Sequence, residues 1–361
     1  MHATKPFFPH LDGLRFIAFL TVFISHIAVF IFPGKIQFLA QGDLGVSFFF
    51  VLSGFLITYL LLCEKDSTGR IHLSFFYLRR ILRIWPVYYM TLAVGIILAV
   101  IPFTETLFPV SFQLADLPWY TGFIANFYLM HGDGNTILAV LWSISVEEQF
   151  YFFWPLIFSR LRKNLAQLFL SLVIIGATCY RYFNAETYST VEYGTLSVMS
   201  DLAIGALVGY AMYRYRDIQN YTSTVFSSTG RVVALYFALT CMILVKVYMS
   251  SVYPINAWYV ALEPLIFSIL FAGVIVEQNY SEYSWYKIGT SKVLNYLGKI
   301  SYGLYAYHMI AIFLVWQVIG RGSMAENIGI VFGSFALTLL LAQLSYQYVE
   351  KRILKLKDRQ Y

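Results

Sequence analysis

The chain has 361 residues, of which 59% are hydrophobic and only 12% charged. A soluble domain carries about twice that charged fraction, so composition excludes an ordinary soluble enzyme and makes the bilayer the relevant solvent. In a soluble protein the net charge of +6 would suggest nucleic acid; here basic cytoplasmic loops account for it, and no nucleic-acid partner is expected.

Crossing a bilayer as a helix takes about 20 apolar residues. Ten segments come near that, over about 14–33, 44–62, 84–103, 147–161, 165–180, 196–213, 231–248, 258–276, 297–319 and 327–347. The fourth and fifth are the shortest. With the N-terminus inside, all of the 25 Lys and Arg fall on inner segments except Lys35, Arg181, Lys246 and Arg321. That bias follows the positive-inside pattern. The predicted fold is all-α: a polytopic transmembrane helical bundle of about ten spans, both termini cytoplasmic, forming one integral membrane domain over 1–361. The first apolar run lacks a small-residue cleavage site and reads as an uncleaved helix. Cys63, Cys179 and Cys241 cannot all pair and have no zinc-type spacing; no metal is expected.

The first span opens the chemistry. In "LDGLRFIAFLTVFISH", residues 11–26, Arg15 and His26 are eleven positions apart. On a helix they share a face, about 20° apart and separated by roughly 16 Å of rise. A snorkelling Arg and a hydrogen-bonded structural His is one reading. The other is a functional pair, because ionisable groups inside a membrane are expensive and a neutral imidazole suits general-base work.

In the second span, "GDLGVSFFFVLSGFLIT" (42–58) supplies Gly42, Gly45, Ser53 and Gly54, small residues that permit close helix approach. Next, "LSFFYLRRILRIWPVYY" (73–89) gathers Arg79, Arg80 and Arg83 within two helical turns beside the inner end of the third span. This is either a lipid-facing anchor or a guanidinium cluster that grips phosphates. The longest outer loop, about 104–146, holds Glu105, Asp116 and Asp133 and no Lys or Arg.

Its tail returns to the membrane as "LWSISVEEQFYFFWP" (141–155). Ser145 and Glu148 match a capping box and predict a helix start there. Trp142, Ser143 and Glu147 are left over, and could line an outer pocket for a hydroxyl-rich acceptor. Asp201 and Glu263 stand at outer span ends, His308 lies inside the ninth span in "KISYGLYAYHMI", and Glu350 closes the tenth. Together these groups predict a polar path through the bundle.

Six stretches in this order resemble the acyltransferase 3 family of membrane O-acyltransferases: "LDGLRFIA" with its "SH", "GVSFFFVLSGFLIT", "RRILRIWPVYY", "WSISVEEQFYFFWP", "SYGLYAYH" and "YVEKR". The resemblance covers about residues 9–352. It implies transfer of an acyl group, most often acetyl, from cytosolic acyl-CoA to a hydroxyl on an extracytoplasmic carbohydrate or lipid-linked glycan. By its motifs His26 is the catalytic histidine, Arg15 its basic partner and Glu350 an essential C-terminal acid. Arg80 and Arg83, with Arg79 beside them, fall on the coenzyme A arginines. Trp142, Ser143 and Glu147 fall on the tryptophan–serine–glutamate signature, and with Asp201 and His308 they form the expected acceptor site. Ser47 stands where relatives often carry an acid, and Ala306 where they often carry Leu. With no esterase-like domain after the last span, the sequence reads as a stand-alone member of a bacterial cytoplasmic membrane. The rival reading is a glycolipid flippase using the same polar path.

Overall fold

The computed structural model describes residues 8–101, 103, 107, 111–132, 134–215, 226–250, 256–320 and 323–357. Glu105, Asp133 and Arg321 lie outside them. Every regular element among the described residues is helical. Long helices run over Leu11–Phe30 (α1), Gly42–Thr68 (α2) and Leu73–Val100 (α3). Short helices follow at Leu117–Thr121 (α4), Ala125–Met130 (α5) and Thr136–Ala139 (α6), then Leu141–Arg160 (α7), Lys163–Phe183 (α8), Tyr188–Tyr193 (α9) and Thr195–Arg214 (α10). The remainder are Thr229–Met249 (α11), Ala257–Tyr280 (α12), Lys292–Lys299 (α13), Ser301–Ile319 (α14), Met324–Ser345 (α15), a π-helical turn at Tyr346–Glu350, and Lys351–Lys357 (α16).

Nine of the described helices are long and apolar enough to cross a membrane, one fewer than the sequence predicts. The missing one is the expected fourth span. Its helix, α7, forms at full length, but Glu147, Glu148 and Gln149 interrupt its apolar run. The expected fifth span is longer than its hydropathy suggests, because α8 continues through Tyr180, Arg181 and Tyr182. Likewise α3 begins eleven residues before the apolar core of the third span, so its arginines belong to one continuous helix of 28 residues. The region expected as the longest outer loop is partly helical (α4–α6).

The chain forms two compact units. The first comprises Met1–Arg15, Val46–Ile71 and Phe150–Tyr296. Here α10 packs on α8 and α12, and α11 on α12. Arg181 of α8 is fully buried: its Nε donates to the Ala261 carbonyl, and Nη1 donates to the Ser197 carbonyl and to Ser200 Oγ (2.8 Å). Beside it Lys246 pairs with Glu263 at 2.6 Å. The apolar surroundings are tolerable because each charge is hydrogen-bonded.

The same unit ties down the start of α1. The Gly289 amide donates to His10 Nδ1 at 3.0 Å. A Cβ at Gly289 would fall 2.4 Å from the Pro9 carbonyl oxygen, so only glycine permits this approach. Burial, and then the charge of Lys287, hold the His10 imidazole below its ordinary 6.5. A lowered imidazole pKa makes this contact a stabilising one above 6.5, and one that weakens as pH falls through and below that value. The Gly289 amide should therefore exchange faster at pH 5 than at pH 7.5, after correction for intrinsic rates. Equal protection at both would show that His10 does not hold it.

The second unit comprises Phe16–Gly45, His72–Gln149 and Leu297–Tyr361. Its centre is α14, apolar on all sides and buried at every position from Gly303 to Phe313. A helix of that kind belongs inside a bundle. It packs along α15 and against α3. The approach to α15 passes over Gly303, whose added Cβ would sit 3.3 Å from the Ala342 Cα.

Candidate active site

The second unit holds most of the predicted site residues, and α14 connects them. Its buried His308 places Nε2 3.0 Å from His26 Nδ1 of α1. His308 Nδ1 lies 2.5 Å from the Tyr305 carbonyl oxygen. The His26 ring stacks on Phe30, 8° from parallel with centroids 6.0 Å apart. Phe19 meets His308 edge-on.

One turn earlier, the Tyr305 hydroxyl is 2.7 Å from Ser143 Oγ. Ser143 donates to the Val140 carbonyl, so its remaining capacity is as acceptor and the tyrosine is the donor. Ser143 and Trp142 are both buried. Through Tyr305, Ser143 is bonded to the helix that carries His308.

The predicted capping box at Ser145 and Glu148 does not form. The helix begins at Leu141, and Ser145 Oγ donates back to the Leu141 carbonyl. Glu147 and Glu148 therefore lie in its second turn. Glu148 reaches α3, where its Oε2 accepts from Trp85 Nε1 at 3.0 Å and its carboxylate is within electrostatic reach of Arg80. Among the described residues no donor reaches Glu148 Oε1, although that atom is buried. Two residues before Trp85, Arg83 acts electrostatically on Glu350. Arg80 also lies over the Phe76 ring.

Glu350 is the last residue of the π-helical turn and is buried. Ser345 Oγ donates to its Oε1 at 3.2 Å, and Tyr307 of α14 is hydrogen-bonded to Ser345 at 3.0 Å. A π turn inserts an extra residue and re-aims the side chains that follow, and such turns recur at functional sites. Finally, Tyr302 of α14 donates to the Ile84 carbonyl, two residues before Pro86 in α3.

Arg15 and Asp201 fall in the first unit. Arg15 pairs with Asp12 at 2.6 Å within the first turns of α1. Asp201 is nearly two turns inside α10, not at a span end. It accepts from Ser268 Oγ at 2.7 Å and faces Arg181. Sequence reasoning missed Arg181, Trp85, Tyr305, Tyr307 and Ser345. The available signal lay in α14, where three tyrosines carry hydroxyl groups into an otherwise apolar span.

Fold and site together define an integral-membrane helical protein with an ionisable interior. The acyltransferase 3 family model, an acyltransferase domain, matches residues 8–347, and the chain belongs to that family. Glu350 lies three residues beyond the match. The chain is 28% identical over 371 residues to the peptidoglycan O-acetyltransferase OatA of Listeria monocytogenes, covering 98% of this chain and 56% of that protein. It is 27% identical over 363 residues to the O-acetyltransferase OatA of Staphylococcus aureus, covering 97% and 57%. The chain thus spans little more than half the length of these curated relatives. No solved structure matches it.

Proposed function

We propose that this chain is a membrane O-acyltransferase, moving an acetyl group from cytosolic acetyl-CoA to a hydroxyl of an extracytoplasmic carbohydrate. Peptidoglycan is the first acceptor to try, and the bacterial cytoplasmic membrane is the setting. The names of the relatives support the reaction class. The observation that carries the reading is the content of the second unit, which holds a buried imidazole on α1 and an arginine cluster on α3.

In the proposed step, the acceptor hydroxyl attacks the thioester carbonyl while His26 takes its proton. The oxygen–carbon bond forms and the carbon–sulfur bond breaks. The electron pair leaves on the CoA sulfur, and His26 returns the proton to that thiolate. A positioned base contributes about 10²–10⁴-fold, and holding both reactants in place about 7–11 kcal/mol more. Arg80 and Arg83 would grip the CoA phosphates through forked hydrogen bonds. Glu148 and Glu350, facing those arginines, would hold the guanidinium groups apart when no CoA is bound.

Each of Arg80→Gln and Arg83→Gln should raise the acyl-CoA KM about tenfold, the equivalent of one charged hydrogen bond, with kcat little changed. An unchanged KM would remove the arginines from the donor site. The test of the whole reading uses protein in lipid nanodiscs, labelled acetyl-CoA and peptidoglycan fragments. Label entering the glycan as an alkali-labile ester supports it. No transfer, and no stabilisation of the protein by acetyl-CoA, would refute it and favour the flippase.

A further inference from the structure

The geometry points to His308 as a positioning residue for His26: its Nε2 accepts the His26 Nδ1 hydrogen and leaves His26 Nε2 as the base. The inference rests on the proposed role of His26.

The argument follows the hydrogens. A carbonyl oxygen only accepts, so the 2.5 Å contact from His308 Nδ1 to the Tyr305 carbonyl requires the hydrogen on Nδ1. In the neutral ring, Nε2 is then an acceptor. It lies 3.0 Å from His26 Nδ1, which must be the donor. With the hydrogen on Nδ1, the lone pair of neutral His26 is on Nε2.

His308 belongs to α14 and fixes where the His26 ring sits relative to the rest of the unit. When Nε2 captures a proton, the Nδ1–H bond becomes charge-assisted and strengthens, which favours the imidazolium as it forms. His308 cannot pass the proton onward, since its own Nδ1–H ends on a backbone carbonyl. Its place is held in turn by Tyr305, whose hydroxyl is anchored on Ser143. Ser143 thus acts three contacts away from His26.

The first test needs no substrate. Protein with ¹⁵N-labelled histidine, in lipid, should show scalar coupling between His26 Nδ1 and His308 Nε2 across the hydrogen bond. The second test is kinetic. Gln presents a polar group where the His Nε2 stands, and Ala presents none. His308→Ala should lower kcat about 10–100-fold, the usual effect of losing an orienting partner, with the acyl-CoA KM unchanged. His308→Gln should recover most of that loss. Absence of the coupling with both rings assigned would overturn the proposal, as would full kcat in His308→Ala. A His308→Gln variant no better than Ala would also overturn it, since a polar group standing where Nε2 stands would then contribute nothing to the rate. Coupling in a wild-type protein that transfers nothing would refute the proposed activity and leave the pairing standing.

Discussion

His26→Ala is expected to lower acyl transfer by about 10²–10⁴-fold, the span typical of a lost general base, while acetyl-CoA still stabilises the protein. The two readouts separate because donor binding is assigned to α3 and proton transfer to α1. His26 pairs with His308, and its ring stacks on Phe30, so truncation also removes packing. His26→Gln keeps most of the volume and serves as the folding control. Loss of transfer in both variants, with retained CoA-dependent stabilisation, identifies proton abstraction as the missing step. If His26→Gln were fully active, His26 would be structural and the base would have to be sought elsewhere. The same preparation decides between direct transfer and an acyl-histidine intermediate. Label that remains on the wild-type protein without acceptor, and is absent from His26→Ala, would establish the covalent route.

The parts of this site that were legible in the sequence are those encoded locally. Arg15 and His26 are on one helix face because eleven residues make just over three turns. Arg79, Arg80 and Arg83 are close because helical spacing makes them so. What was not legible depends on contacts between distant segments. His26 and His308 are 282 residues apart, and nothing in either neighbourhood names the other. Likewise Ser143 and its partner Tyr305 are 162 residues apart.

Other discrepancies come from what hydropathy measures. It locates the apolar middle of a helix and not its ends, which hydrogen bonds decide. So α3 begins at Leu73, and its arginines are part of the helix itself. The S-x-x-E pattern at Ser145 and Glu148 falls inside a helix here and not at its start. Here the first turn is already formed at Leu141, so Ser145 bonds backward along the helix. In the structure Glu148 is held by Trp85, a residue with no sequence feature that marks it as a partner.

Gly205→Ala is expected to destabilise the protein strongly, although it adds one methyl group to a helix. In the first unit the backbones of α2 and α10 touch. A Cβ at Gly205 would lie 1.9 Å from the Val51 carbonyl oxygen, and one at Gly54 would lie 2.0 Å from the Leu202 carbonyl oxygen. Gly209 is nearly as close to Phe55. The clashing atoms are backbone, so no rotamer change relieves them, and the helices must separate. Overpacking typically costs about 1–3 kcal/mol, and here separation also gives up the close packing that holds membrane helices together. Gly176→Ala in α8 is the control, since a Cβ there meets nothing within 4 Å; that variant should be neutral or slightly stabilised by helix propensity. The Gly54→Ala/Gly205→Ala double variant should lose less than the sum of the singles, because one movement of the helices relieves both contacts. Thermal unfolding of the purified proteins in one detergent measures all four. A Gly205→Ala protein as stable as Gly176→Ala would mean that α2 and α10 do not meet at these glycines.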